Sequence, residues 1–202
     1  MRQDATLLRP ARPDFSEGLI FARYMDQAAD GFFRFMLGRS AERIIACAFP
    51  EPKHSLSYEH VTFAERGGEL VGMSSAYTGA QHHGFSEEPL ERAAGRSAFR
   101  FKCLRTLLAP LWRILDTVAD GDFYLQGIAV QPNLRGVGIG SLLMTDIEQR
   151  ARVSGSARLC LDVAATNKGA RRLYARRGMA ESSRWPSFGI LPPLFVRMTK
   201  VL

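Results

Sequence analysis

The sequence predicts a single α/β domain, of the α+β type, in which helices flank a mixed sheet of about six or seven strands. Its length of 202 residues suits one domain. Its composition, 46% hydrophobic and 23% charged, is ordinary for a globular protein with a real core. In the last third of the chain, apolar strand-like runs alternate with helical patterns, an order that places two parallel strands side by side with a helix crossing over between them.

The first third of the chain predicts a strand, two helices and a hairpin. The second helix pattern, FFRFMLGRSAERIIACAF, is apolar on one side and stops before Pro50. The hairpin turns at Gly67-Gly68, between two β-rich runs. In order, the predicted elements are a strand at residues 6–10, helices at 15–29 and 32–49, and strands at 58–65 and 69–77.

A long segment separates the hairpin from the next strand. From about residue 86 to 118 leucines recur at helical spacing, and Pro110 is expected to kink or split this helix. A stretch of this length is typically functional or has structure of its own. We therefore predict a helical insertion at about residues 80–120, which serves as a lid, a dimer surface or a wall of a binding pocket.

The remaining elements follow one another closely. Residues 123–130 form a nearly continuous apolar strand, and the helix after it ends at Gly155. In order, we predict a strand at 123–130, a helix at 138–153, a strand at 158–163, a helix at 167–177, and strands at 179–184 and 195–200.

A glycine-rich loop joins the strand at 123–130 to its helix. Gly136, Gly138 and Gly140 occupy alternate positions where that helix opens. Glycine allows a ligand to approach the backbone, the first amides of a helix lack internal partners, and the helix dipole favours negative charge there. The loop therefore predicts a phosphate site. It is neither a GxGxxG dinucleotide motif nor a P-loop, because Ser141 stands where the third glycine would be and the P-loop lysine is absent.

Two motifs together resemble the GNAT N-acetyltransferase superfamily. Residues 127–143, GIAVQPNLRGVGIGSLL, are similar to the family's strand ending in V-x-P followed by R-G-x-G-I-G-x-x-L. Residues 167–179, NKGARRLYARRGM, resemble its later motif N-x-x-A-x-x-L-Y-x-x-x-G-F, with Met179 in place of the aromatic. The resemblance is strong over about residues 122–185. It implies one acetyltransferase domain over 1–202, with a mostly antiparallel twisted sheet whose central parallel strands splay apart at a bulge.

The resemblance also implies an acetyl-CoA site. The diphosphate would rest on the amides of the glycine loop, the pantetheine arm would pair with the strand, and the basic helix 167–177 would reach the 3′-phosphate. Asn167 caps that helix on physical grounds, and in the family the matching residue also touches the pantetheine. The predicted cofactor-binding residues are Ile128, Ala129, Val130, Arg135, Gly136, Val137, Gly138, Ile139, Gly140, Ser141, Asn167, Arg171 and Tyr174.

Tyr174 is the predicted catalytic acid. When an amine attacks a thioester, the departing sulfur develops negative charge, and a phenol can donate a hydrogen bond or a proton to it. The family places this tyrosine beside the sulfur. The attacking amine must also lose a proton, and Asp162 is one candidate base. The other candidates are His60, His82, His83, Gln126 and ordered water.

Charge and composition bound the partners. Residues 1–121 hold 15 basic and 15 acidic side chains, so the whole net charge of +7 lies in residues 122–202, where an anionic ligand is expected. Aromatic residues are not interleaved with this charge as a nucleic-acid platform would need. No apolar run is long enough for a membrane span, and no secretory signal is evident. Three cysteines without a CxxC pair favour a reducing cytoplasm and predict neither a disulfide framework nor a metal site.

The sequence-based expectation is therefore an enzyme that transfers an acetyl group from acetyl-CoA to a primary amine, by direct attack in a ternary complex. The acceptor is a small molecule or a peptide, and a homodimer is possible. Two alternatives stay open at this point. One is a protein N-terminal or lysine acetyltransferase, and the other is a non-catalytic acyl-CoA-binding module.

Overall fold

Seven strands form one open sheet in the computed structural model, which describes residues 5–95, 98–107, 117–186 and 192–202. Their order across the sheet is β1-β2-β3-β4-β5-β7-β6. All neighbouring strands run antiparallel except β4 and β5, which are parallel. The predicted fold class is confirmed. The strands are β1 (Leu7–Pro10), β2 (Val61–Arg66), β3 (Glu69–Thr78), β4 (Asp122–Val130), β5 (Arg158–Ala164), β6 (Ala180–Trp185) and β7 (Phe195–Val201).

Helices cover both faces of this sheet. One face carries α1, α2 and α3, whose apolar side chains form a core with Phe63 and Met73. The opposite face carries α7, which packs on Ala64 and Val71 and on a second core around Leu125. Within the described ranges the helices are α1 (Phe15–Ala28), α2 (Phe32–Leu37), α3 (Ala41–Ala48), α4 (Gly79–His83), α5 (Glu88–Ala94), α6 (Ala98–Leu107), α7 (Ile139–Val153) and α8 (Lys168–Arg176).

Local chemistry explains where α1 begins and how closely it packs. The Asp14 carboxylate accepts hydrogen bonds from the amides of Ser16 and Glu17 at 2.8 and 3.2 Å, which satisfies two donors that the helix leaves unpaired. A Cβ added at Gly18 would lie 2.9 Å from the Cα of Ala46, so only glycine lets α1 approach α3 this closely. None of the helices in the described ranges is long and apolar enough to cross a bilayer.

The central parallel strands separate part of the way along. Pairing between β4 and β5 runs from Asp122 with Arg158 to Leu125 with Leu161, and no pair follows. On the other side of β4, one extra residue, Gln126, interrupts the register with β3. This β-bulge bends β4 away from β5. The predicted splay at a bulge is confirmed.

Two predicted boundaries in the N-terminal third are wrong. The single helix predicted at 32–49 is broken into α2 and α3, with a 3₁₀ turn over Gly38–Ser40, because Gly38 takes a φ of 77° that a helix interior does not allow. The strand predicted from residue 58 begins at Val61, since Tyr58–His60 form a 3₁₀ turn. The periodic apolar pattern continued across both breaks and concealed them.

The insertion leaves and rejoins the sheet between two neighbouring strands. Thr78, at the end of β3, pairs with Phe123 of β4, so residues 79–121 start and finish at one place. Helices α5 and α6 of this segment lie against α3 and α2. The leucine pattern predicted helix over 86–118, and α5 and α6 account for much of it. The predicted kink at Pro110 lies outside the described residues.

Candidate active site

The glycine loop forms an open cradle at the start of α7. Gly136 and Gly138 adopt φ values of 81° and 97°, which L residues rarely adopt, and a Cβ added at either would meet nothing within 4 Å. Gly138 is the N-cap and supplies no side chain, so the first amides of α7 have no capping partner from it. Ile139 is buried, and its side chain anchors this turn in the core. Exposed amides at a helix N-terminus suit a diphosphate, so the predicted residues fit this part of coenzyme A.

The backbone of β4 offers polar groups to the gap beside β5. The amide of Gln131 donates to the carbonyl of Val71 in β3 at 2.9 Å. Hydrogen-bonded positions alternate along an antiparallel ladder, so Ala129 also turns its backbone towards β3. Ile128 and Val130 consequently turn theirs towards the gap. Ile128 and Val130 therefore have the orientation needed to pair with pantetheine. Ala129 lines the cleft, but its backbone groups point to β3.

The carbonyl of Val130 already has donors. Gln27 of α1 donates to it from Nε2 at 3.2 Å, and Arg135 donates from Nε at 3.4 Å. Arg135 therefore links the glycine loop to the end of β4, while its guanidinium remains exposed at the cleft. The amide and carbonyl of Ile128 are the remaining pair that an amide-bearing ligand can use like a neighbouring strand.

Gly127 allows a close approach between β4 and a helix. A Cβ there would lie 2.8 Å from the sulfur of Met25, so the close neighbour is α1. The bulge itself is at Gln126, one residue earlier. Gly127 thus allows α1 to pack against the splayed part of β4.

Helix α8 presents its basic residues unevenly. Asn167 accepts a hydrogen bond from the amide of Ala170 at 3.0 Å, which confirms the predicted cap. Arg171 donates to Glu181 of β6 at 3.0 Å and to the carbonyl of Ala165, so its charge is already paired. This pairing argues against the predicted contact between Arg171 and a phosphate. Arg176 is exposed and lines the cleft, which makes it the better placed cation of this helix.

Tyr174 lies on α8 with its ring in the second core and its edge on the cleft. The side chain packs with Val163 and Met179 and is 7% exposed. Burial raises the pKa of Tyr174 to about 12, because the ionised phenolate would lose its hydration. The hydroxyl makes no hydrogen bond to any described residue. Tyr174, a residue of the cleft wall, is therefore a protonated donor without a partner among the described residues.

Asp162 is held in a buried ion pair. Its carboxylate accepts from Nε and Nη2 of Arg197 at 3.0 and 2.7 Å, and from the hydroxyl of Tyr124 at 3.1 Å. The carboxylate side chain is 3% exposed. Burial and the neighbouring carboxylate raise the pKa of Tyr124 well above its usual value, so this phenol stays a donor. Both oxygens of this carboxylate are already occupied by hydrogen bonds from Arg197 and Tyr124, which argues against the base role predicted for Asp162.

The other candidate bases fall in different places. Burial lowers the pKa of His60 to about 4, and its Nε2 atom is buried with no hydrogen-bond partner among the described residues. His83 is at the surface, where Nδ1 lies 2.8 Å from the carboxylate of Asp120. His82 and Gln126 line the cleft, and Gln126 accepts a hydrogen bond from Ser75 at 3.0 Å.

One continuous cleft joins the glycine loop, the splayed part of β4 and Tyr174. Its volume is about 1340 Å³, and it runs from the glycine loop along the gap between β4 and β5. It then continues between the α1–α2 connection and the start of the insertion. Ligand pockets usually measure about 300 to 1,000 Å³, so this cleft has room for two ligands that meet at the gap. The described residues contain no group of three His, Cys, Asp or Glu side chains placed to hold a metal ion.

Sequence reasoning missed several residues that hold the site in shape. Arg177 was assigned only to a basic cluster, yet it donates to Thr145 at 3.1 Å and to the carbonyl of Ser141, so it clamps the first turn of α7. Gln27 and Arg197 were not singled out. Their partners are 103 and 35 residues away in the chain, and no local pattern signals such contacts.

The fold and this arrangement define a class of protein. A family model described as the acetyltransferase (GNAT) family matches residues 22–179. The chain therefore belongs to the GNAT family, whose general reaction is acetyl-CoA-dependent acetyl transfer and whose members bind acetyl-CoA. No match was found among curated proteins.

Solved structures of the same fold cover nearly the whole chain. An acetyltransferase is 24% identical, with a TM-score of 0.66, and covers 96% of this chain and 98% of its own. An N-acetyltransferase from Staphylococcus aureus Mu50 is 16% identical at the same TM-score, over 96% of this chain and 100% of its own. The ribosomal-protein-S18-alanine N-acetyltransferase from Escherichia coli is 16% identical, with a TM-score of 0.55, over 96% and 92%. At these identities the likeness shows the fold alone.

Proposed function

We propose that this chain is an N-acetyltransferase that moves an acetyl group from acetyl-CoA to a primary amine by direct attack in a ternary complex. The observation that carries the proposal concerns Tyr174. Its hydroxyl is protonated and has no partner among the described residues, and the residue lines the same cleft as the glycine cradle. A module that only bound the cofactor would have no use for an unpaired donor at this point.

Holding coenzyme A is the work of three features already described. The amides at the start of α7 face a diphosphate, and Arg176 and Arg135 supply positive charge at the same end of the cleft. The backbone of Ile128 would pair with the amide groups of the pantetheine arm, beside the gap between β4 and β5. When bound, acetyl-CoA supplies the thioester, so that R–NH₂ and CH₃CO–S–CoA become R–NH–COCH₃ and HS–CoA.

Tyr174 stabilises the sulfur as the carbon–sulfur bond breaks. The C–N bond forms from the lone pair of the amine, and the electron pair of the C–S bond goes to sulfur. A thiol has a pKa of about 8.5, about 3.5 units below the pKa of about 12 of the phenol. Full proton transfer from Tyr174 alone is therefore uphill by about 5 kcal/mol. The hydroxyl acts as a hydrogen-bond donor to the developing charge, and the proton that the thiol finally carries balances the one that the amine loses.

The amine loses its proton to water in this proposal. Both oxygens of Asp162 already accept hydrogen bonds, and His60 does not line the cleft. The amine then reacts as the free base that bulk pH provides, so kcat/KM should rise with pH until the amine's own pKa is reached. A bell-shaped pH profile of kcat/KM, with a rising limb near pH 4 to 6 for every amine tested, would instead indicate a base on the enzyme.

Two measurements test the proposal. Isothermal titration should show that acetyl-CoA binds, and thiol release should then be followed across primary amines, amino acids, polyamines and short peptides. Steady turnover of at least one acceptor, with the acetamide detected by mass spectrometry, supports the enzyme. Tight binding of acetyl-CoA without turnover on any acceptor would favour the non-catalytic module, and turnover of peptides alone would favour protein acetylation.

A further inference from the structure

The cleft has a second arm beyond the gap, which we name the acceptor arm. It lies between the α1–α2 connection on one side and the start of the insertion on the other, with β4 beneath it. Aromatic rings dominate its lining, and aliphatic side chains fill the space between them. The aromatic lining residues of this arm are Phe32, Phe33, Phe35, Tyr77, Phe85 and Tyr124.

The inner rings of this arm form a packed wall. The centroid of Tyr77 lies 4.9 Å from that of Phe85, edge to face, and 5.6 Å from that of Tyr124. The ring of His82 stacks on Tyr77 at 5.7 Å with an angle of 6° between the planes. His60 supports Phe85 from behind at 4.9 Å. Because neighbouring rings pack against one another, the wall presents a fixed apolar surface to a ligand in the acceptor arm.

Charge is distributed unequally between the two arms. The lysines and arginines among the described lining residues are Arg135 and Arg176, and both lie at the glycine loop or on α8. The acidic residues that line the acceptor arm are Asp30 and Glu87, which are exposed at its rim. Asp162, at the gap, has its charge balanced by Arg197. Among the described residues, the interior of the acceptor arm thus places no lysine or arginine beside a carboxylate and no acidic side chain beside a second ammonium group.

We propose that the acceptor is a small primary amine carried on an aromatic or similarly bulky apolar group, with no carboxylate and no second charge. The inference rests on the proposed function, since it assigns the second ligand of the same cleft. A ring on the acceptor gains contact with the wall, and Asp30 at the rim attracts its ammonium form before it reacts. A carboxylate beside the amine would be buried with no described lysine or arginine to pair with, which is strongly unfavourable.

Matched acceptors test the substrate class. Phenylethylamine and phenylalanine differ by one carboxylate, and phenylethylamine and ethylamine differ by the ring. We expect kcat/KM for phenylethylamine to exceed that for each of the other two by about 100-fold, and to exceed that for putrescine by a similar factor. A dipeptide with an N-terminal phenylalanine serves as the peptide comparison and should be acetylated more slowly.

Matched variants test the wall itself. Phe85→Ala removes a ring of the wall and should raise the KM for phenylethylamine about 10-fold while the Kd for acetyl-CoA stays the same. Phe99→Ala removes a ring that is 77% exposed and does not line the cleft, and it should change neither constant. Phe85→Leu keeps an apolar side chain of similar volume and should keep most of the affinity for the amine. It controls for a loss of affinity that is caused by misfolding in Phe85→Ala.

The outcomes separate the two proposals. If acetyl-CoA is turned over but phenylalanine, putrescine or the dipeptide is preferred to phenylethylamine, the substrate class is wrong and the acetyltransferase stands. Equal effects of Phe85→Ala and Phe99→Ala on the KM for phenylethylamine would also overturn the assignment of the wall. If no acceptor of any class is turned over while acetyl-CoA binds, the proposed function itself is wrong.

Discussion

Replacing Tyr174 by phenylalanine separates a catalytic hydroxyl from a structural one. The hydroxyl makes no hydrogen bond to any described residue, so its removal leaves no buried partner unsatisfied. We expect the free energy of unfolding to change by less than about 0.5 kcal/mol, or to rise. Tyr124→Phe is the structural contrast, because that hydroxyl donates to the Asp162 carboxylate at 3.1 Å, and losing it should cost about 1.5 to 3 kcal/mol.

The kinetic effect of Tyr174→Phe follows from the charge that develops on sulfur. A hydrogen bond to a charged group contributes about 1.5 to 3 kcal/mol, which corresponds to a decrease in kcat of about 10- to 150-fold. The contact exists only as the C–S bond breaks, so the Kd for acetyl-CoA should be unchanged. Because the pKa of Tyr174 is about 12, kcat should not fall through loss of its proton below about pH 11. With an ordinary tyrosine pKa of about 10, half of the activity would be lost at pH 10.

The assay is thiol release at saturating acetyl-CoA, with Kd from isothermal titration and the free energy of unfolding from urea denaturation of each variant. An unchanged kcat in Tyr174→Phe would refute the catalytic role. So would a fall in kcat matched by an equal loss of cofactor affinity, since that pattern indicates a binding residue. A large loss of stability would show that the hydroxyl has a folded-state partner after all.

Three further predictions concern the cradle, the basic helix and the buried histidine. Gly138→Ala places a side chain on a residue whose φ is 97°, a conformation that L residues rarely adopt. The variant should lose about 1 to 2 kcal/mol of stability, measured by denaturation. It should also have a higher KM for acetyl-CoA in steady-state kinetics. Arg176→Ala should raise the KM for acetyl-CoA more than Arg171→Ala does, because Arg171 is paired with Glu181; the opposite order in isothermal titration would contradict this reading. His60 has a folded pKa of about 4, below its usual 6.5, so its contribution to stability is complete above pH 6.5 and is lost as pH falls towards 4. The wild-type protein should lose about 3 kcal/mol of stability through His60 between those pH values, and His60→Phe should not show this loss. Parallel pH–stability curves for the two proteins would contradict the prediction.

The parts of the site that could be read from the sequence are local in the chain. The cradle depends on glycines within a few residues of one another and on a helix that starts there, and both are visible as a pattern. The cap at Asn167 likewise needs only the next three residues. The order of strand, helix, strand around this loop also determines which two strands are parallel.

The parts that escaped prediction depend on contacts between distant segments. Asp162 looked like a base because no local signal shows that Arg197 and Tyr124 arrive from β7 and β4 to hold it. Arg171 looked like a phosphate ligand for the same reason, since Glu181 lies on another strand. The helix break at Gly38 was not predicted because the helical spacing of apolar residues continues across it. The positive φ of Gly38 interrupts the helix there.

The point where the insertion meets the sheet has an evolutionary consequence. Gly79 and Ala119 are in contact, so a segment of about forty residues leaves and rejoins the sheet at one point between two strands that pair with each other. Insertions, deletions or replacements within such a segment can occur without shifting the register of those strands. Under the proposed function, sequence changes in this segment would alter the acceptor arm and leave the glycine loop unchanged.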